Sequence, residues 1–185
     1  MKANVKNSIF IAVSAALILL IALSVYFIAE KTLIYPRKYS EIVKNYSSRY
    51  GVEENLIYAV MKAESKFDSS AVSKKGAKGL MQITDGTGAY IAGKLGRDFS
   101  EEDLFSPEIN IEYGAFYLNY LLGKFENPKT ALAAYNAGEG KVKGWLKDGN
   151  CSDDGKILKF IPYKETEDYV VKVLKFKAKY EKIYG

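Results

Sequence analysis

The chain has 185 residues, 48% apolar and 26% charged, with a net charge of +5, a composition that describes one globular domain with an appendage and excludes a disordered polymer. It has no histidine, which excludes Ser-His-Asp and Cys-His catalysis and His-ligated zinc; its single cysteine, Cys151, excludes an internal disulfide and a thiolate metal cluster. Residues 1–35 carry only Lys2, Lys6, Lys31 and Glu30 as charged groups, so the remainder keeps +3. That mild, dispersed excess suits an anionic polymer or a membrane surface, and no basic stripe with interleaved aromatics marks a nucleic-acid partner.

The first element is an uncharged run from Ile9 to Ala29. As a helix it reaches about 31 Å, the thickness of a bilayer core. A cleavable signal peptide has a shorter apolar region, about 7–15 residues. Its small-x-small cleavage site is also missing, because Phe27-Ile28-Ala29-Glu30 puts Phe where a small residue is needed, and no cysteine follows for a lipid anchor. The run therefore reads as an uncleaved single-pass anchor in a segment 1–35, with the amino terminus in the cytoplasm and residues 36–185 on the extracytoplasmic side of the cell membrane. Length carries this reading more than charge does, since Lys31, Arg37 and Lys38 flank the far end.

Beyond Pro36 the periodicity is helical. Ser40 to Tyr50 places Ile42, Val43, Tyr46 and Tyr50 at helical spacing, with Gly51 suited to the left-handed residue past the end. Glu53 and Glu54 complement the positive end of a next helix running to about Glu64. Asp85 to Gly96, with four glycines, predicts a short or broken helix at best. Pro107 begins a helix with an apolar face of Ile109, Tyr113, Phe116, Tyr117 and Tyr120. Thr130 to Ala137 predicts a short helix stopped by Gly138 and Gly140. A last helix from about Glu165 to Tyr184 turns Val170, Val173, Leu174, Ala178 and Ile183 inward. No alternating run predicts a strand. The composition of residues 148–155 predicts a loop, with Cys151 as an exposed thiol. The expected class is mainly α: one helical domain of about 150 residues, enough for its own core.

One carboxylate stands out. Ile57, Val60, Met61 and Glu64 fall at i, i+3, i+4 and i+7, so Glu64 continues an apolar stripe. Desolvation there would raise its pKa towards that of a general acid working near neutrality; a solvated helix-end Glu is the plainer alternative.

Four segments then form one pattern: Glu64-Ser65-Lys66-Phe67, Gly76 to Gln82, Ala134-Tyr135-Asn136-Ala137-Gly138, and Ile161 to Val170. In this order and spacing they resemble the catalytic SLT domain of lytic transglycosylases, related to goose-type lysozyme, over roughly residues 39–180. The resemblance implies a lysozyme-like fold (a superfamily classed as α+β) whose cleft binds the glycan strands of peptidoglycan. It implies Glu64 as the catalytic acid and Ser65 as a hydrogen-bonding neighbour of that carboxylate and of the substrate. It also implies that Gly79, Leu80, Met81 and Gln82 line the cleft, with Met81 and Gln82 facing sugar. Tyr135 and Asn136 fall beside the reacting ring, and Glu165 and Tyr169 at the cleft, the tyrosine approaching the acid. No metal and no cofactor is implied. Two departures fall in connecting backbone: Asp68-Ser69 stands where the family has Asx-Pro, and Ile83-Thr84-Asp85 where a proline is common.

The activity implied is a membrane-anchored lytic transglycosylase cleaving the MurNAc–GlcNAc β-1,4 bond with 1,6-anhydroMurNAc ends. A hydrolytic muramidase on the same fold and a non-catalytic peptidoglycan-binding module are the rivals. Hydrolysis usually needs a second carboxylate. Of Asp68, Glu165, Glu167 and Asp168, only Glu165 is a serious contender, because Asp68 follows the acid in a loop and Glu167 and Asp168 are expected to face solvent.

Overall fold

The computed structural model describes residues 2–185, which divide into two compact units, one ending at Arg37 and the other running from Lys38 to Gly185. In the first, α1 (Lys2–Ala29) runs into a π-helical turn, Glu30–Ile34. The stretch Phe10–Ile34 is long and apolar enough to cross a membrane, and large apolar side chains along it, from Phe10 to Ile28, are exposed.

The second unit is helical throughout: α2 (Ser40–Tyr50), α3 (Glu54–Glu64), α4 (Asp85–Lys94), α5 (Pro107–Phe125), α6 (Pro128–Ala137), α7 (Glu139–Leu146) and α8 (Lys164–Tyr184), with a 3-10 turn at Glu101–Phe105. Among the described residues there is no strand. Extended backbone pairs only at isolated bridges, Val72 with Lys78 and Lys78 with Ile83. α3 packs chiefly on α8, α5 on α2 and α6, and α6 on α7 and α8. The core is the meeting of these faces: Ile57, Val60 and Met61 of α3, Ile111, Ala115 and Leu118 of α5, Leu132 of α6 and Val173 of α8 are fully or almost fully buried. Tyr58 and Tyr180 stack at 5.4 Å between α3 and α8.

α4 is a helix of ten residues, the short one of the two expected alternatives, and it is unbroken because Thr84 caps it by accepting the Thr87 amide, which offsets the low helix propensity of its glycines. Three local expectations are corrected. α7 is a helix beyond those expected. Its residues Glu139–Leu146 follow Gly138, whose φ of 92° turns the chain out of α6 and back into helix. On α8 the buried face is Thr166, Tyr169, Val170, Val173 and Tyr180, while Leu174 is 37% exposed; packing on α3 and α6 rotates the seam away from the Leu174–Ala178 side. Cys151 is buried, not exposed, since the loop folds back on it and its carbonyl accepts the amides of Lys159 and Phe160.

The expected face of α5 is also corrected: of Ile109, Tyr113, Phe116, Tyr117 and Tyr120 only Tyr113 is buried and the others are half-buried, while Ile111, Ala115, Leu118 and Leu121 are buried together with two polar residues. Glu112, 1% exposed, accepts from Arg97 at 2.5 and 3.1 Å, from Arg49 at 3.3 Å and from the Tyr50 hydroxyl at 3.1 Å. Asn110, fully buried, accepts the Met81 amide at 2.7 Å and donates to the carbonyls of Lys78 and Leu104 at 3.0 and 2.7 Å. A polar side chain costs free energy in such a place unless every bond is made. Here each is made, and the turn Gly79–Gln82 is held in return.

Candidate active site

α3 ends at Glu64. The chain then leaves the helix through Lys66 and Phe67, both left-handed at φ 53° and 68°, a costly conformation for side chains other than Gly or Asn. Ser65 stabilises it: its hydroxyl accepts the Phe67 amide at 3.1 Å and lies 2.8 Å from the Leu80 carbonyl and 3.2 Å from that of Met61. Ser65 thus ties the end of α3 to the Gly79–Gln82 turn. These bonds run to backbone, and among the described residues none joins Ser65 to the Glu64 carboxylate.

That turn brings backbone, more than side chains, to the site. Gly79 has φ 75°, and a Cβ there would run into the Leu104 carbonyl and the Asn110 amide. Leu80 and Met81 are fully buried. The Met81 thioether fills the space left by the absent side chain of Gly114, so its expected place facing sugar is corrected: the pull of the core on an apolar side chain outweighs exposure. Gln82, at φ 53°, donates both amide hydrogens, to Ala71 and Gly79 carbonyls at 3.1 and 2.9 Å, which leaves its side-chain oxygen as the acceptor for a ligand.

Tyr135, on α6, donates its hydroxyl to the Met81 carbonyl at 2.9 Å. Its neighbour Asn136 accepts the Thr166 hydroxyl at 2.8 Å, which frees the Asn136 amide hydrogens. Glu64, Asn136, Glu165 and Tyr169 come together with Ala63, Asp168 and Lys172 around a pocket of about 360 Å³. The expected residues Ser65, Gly79, Leu80, Met81, Gln82 and Tyr135 do not line this pocket; Ser65 and Tyr135 are instead bonded to the backbone of the Gly79–Gln82 turn, at the Leu80 and Met81 carbonyls.

The electrostatics separate the carboxylates. Burial pushes the Glu64 carboxyl up to about 7. The Tyr169 hydroxyl and the Lys172 charge pull it back, and the negative charge of Glu165 pushes it further up. The Tyr169 hydroxyl is buried and lacks a partner of full hydrogen-bond geometry; it nonetheless approaches Glu64 closely enough to stabilise its charge. Burial and then that carboxylate hold Tyr169 and Tyr135 well above the ordinary phenol range. Glu165 is different: it is 72% exposed and paired with Lys75 at 3.2 Å. Asp168 reaches the rim of the pocket, but it is 63% exposed and paired with Lys164 at 2.8 Å. One carboxyl in the pocket is desolvated; the other two are wet and ion-paired. Among the described residues no group of three or more His, Cys, Asp and Glu could hold a metal ion.

Sequence reasoning passed over Asn110, Thr166 and Lys172. Thr166 and Lys172 each lie three residues from Tyr169, so the helical spacing places both on its face. Asn110 carried no signal, since a lone Asn within an apolar helix gives no indication of what it will hold.

In sequence and in fold the chain is similar to known proteins. The Transglycosylase SLT domain family matches residues 41–158. The chain is 34% identical over 157 residues to the soluble lytic murein transglycosylase of Escherichia coli K12, covering 82% of this chain and 24% of that protein. It is 42% identical over 117 residues to the membrane-bound lytic murein transglycosylase C of Serratia proteamaculans, covering 57% of this chain and 32% of that protein. Among solved structures, an inactive Glu-to-Gln mutant of lytic transglycosylase Slt from Pseudomonas aeruginosa superposes with a TM-score of 0.70 at 34% identity, over 80% of this chain and 24% of that one. The 70 kDa soluble lytic transglycosylase of Escherichia coli gives 0.72 at 31% identity, over 82% and 25%. The chain spans about a quarter to a third of the length of these relatives. On the family match and the shared helical fold, the chain belongs to the Transglycosylase SLT domain family.

Proposed function

We propose that this chain is a membrane-anchored lytic transglycosylase that cleaves the MurNAc–GlcNAc β-1,4 bond of peptidoglycan, with α1 as a single-pass anchor and residues 36–185 as the extracytoplasmic catalytic domain. The observation that carries the reading is the lone desolvated carboxyl, Glu64, in a pocket whose other carboxylates are exposed and ion-paired. A carboxyl with a pKa near neutrality serves as acid and base in turn. Protonated Glu64 donates to the glycosidic oxygen, the bond from C1 to that oxygen breaks, and the GlcNAc side leaves as an alcohol while positive charge develops at C1. The Glu64 carboxylate then takes the proton of the muramyl 6-hydroxyl, whose oxygen closes on C1. The proton has returned to Glu64, and no water is consumed.

An intramolecular nucleophile suits a site with one such group, because a tethered hydroxyl gains the proximity of an effectively unimolecular step. Inactivity of the Glu-to-Gln mutant of the Pseudomonas aeruginosa relative accords with a Glu as the acid. Gln82 and Asn136 offer an acceptor and donors for sugar hydroxyls and amides, and Tyr135 and Tyr169 hold the wall around them.

Mass spectrometry of muropeptides released from purified sacculi by the full-length chain in detergent tests this. Fragments one water lighter than hydrolysis products and resistant to borohydride are expected. Reducible muramic acid ends would make the enzyme a hydrolase, and retention on sacculi without release would make it a binding module.

A further inference from the structure

The geometry points to Lys172 as a positioning residue of this site: its ammonium clamps the last turn of α3 to α8 and holds an uncommitted positive charge at the wall of the pocket into which Glu64 opens. This rests on the reading of Glu64 as the acid.

Lys172 Nζ donates to the carbonyl of Ala63 at 3.2 Å. Ala63 immediately precedes Glu64 and is among the last four residues of α3, whose carbonyls have no partner within the helix. A cation there also meets the negative end of the helix dipole. The same ammonium lies 5.9 Å from the centre of the Tyr169 ring, so the side chain is guided by one residue of the pocket and bonded to the backbone beside another. Lys172 itself lines the pocket.

Its charge is not spent elsewhere. The pocket's other acids have their own cations, Glu165 with Lys75 and Asp168 with Lys164. Among the described residues Lys172 is in no ion pair. The groups facing Glu64 are Glu165, Asp168, Tyr169 and Lys172 from α8 and Tyr135 from α6, while Lys62 lies on its own helix and Lys66 comes two residues after it. Lys172 is the cation among them whose charge acts on Glu64.

The chemistry needs such a charge. Burial alone favours a protonated Glu64 that gives up its proton reluctantly, and the reaction requires the carboxylate to exist between the two proton transfers. Lys172 stabilises that carboxylate and keeps the acid switchable; Glu165, which also lines the pocket from α8, works against it.

The test is titration of the Glu64 side-chain carboxyl by 13C NMR in the full-length chain in detergent, assigned by its loss in Glu64→Gln. The midpoint in Lys172→Met should rise by ~0.5 pH unit or more, that in Lys172→Arg should stay at the wild-type value, and that in Glu165→Gln should fall. The alkaline limb of kcat/KM on sacculi should move with the midpoint in each variant. An unchanged midpoint in Lys172→Met, or equal shifts in the Met and Arg variants, overturns the proposal. The titration reads the carboxyl without turnover, so its failure is separate from that of the transglycosylase reading, which the product masses decide.

Discussion

Asn110 accepts the Met81 amide at 2.7 Å, a single bond from the first turn of α5 that fixes the turn on which the site is built. Because the same side chain also bonds two carbonyls, Asn110→Ala leaves the Met81 amide and the Leu104 carbonyl buried without partners, while the Lys78 carbonyl keeps the Ile83 amide. We expect a loss of about 2–4 kcal/mol, measured by urea unfolding, with turnover reduced further than the fraction folded accounts for.

Glu64→Gln keeps the shape of the site and removes its proton donor. Activity on sacculi should fall by about 10²–10⁴-fold. Stability should move the other way, with a defined pH dependence. The carboxyl rises from 4.5 to about 7 on folding, so its contribution is most favourable below pH 4.5 and is lost as pH rises through 7. The variant should match wild type at pH 4 and exceed it by at most about 3 kcal/mol at pH 8. Thermal melts at the two pH values check this, and equal differences at both would contradict the desolvated state of Glu64.

Glu112 is 1% exposed and bonded to Arg97, Arg49 and Tyr50. Arg97→Ala strands a buried carboxylate with a weaker share of positive charge and should cost about 3 kcal/mol. Breaking the exposed Lys164–Asp168 pair by Lys164→Ala should cost less than ~1 kcal/mol. Parallel denaturation curves of the two variants give the ratio.

The anchor is checked by fractionation. The full-length chain should stay with membranes through carbonate extraction, and its C-terminal domain should be open to external protease. A soluble product beginning near Lys31 would show that α1 is removed as a leader.

The sequence by itself determined which segments are helices wherever the period is local. Ser40–Tyr50 and Pro107–Phe125 follow from their caps and apolar spacing, and the stripe through Ile57, Val60 and Met61 points to Glu64. The four motifs carried the family, because side chains that do chemistry must keep their type and spacing. Tertiary structure decided what depends on distant partners. Met81 faces the core because Gly114, 33 positions on, leaves room for its thioether. Ser65 bonds the Leu80 carbonyl because two left-handed residues turn the chain back over it. The seam of α8 runs through Tyr169 and Val173 because α3 and α6 press there. The charge of Lys172 is available to Glu64 only because Glu165 and Asp168 have lysines of their own. Periodicity records which side of an element is apolar; which neighbour meets that side, and which charges remain unpaired there, is fixed only when the helices pack.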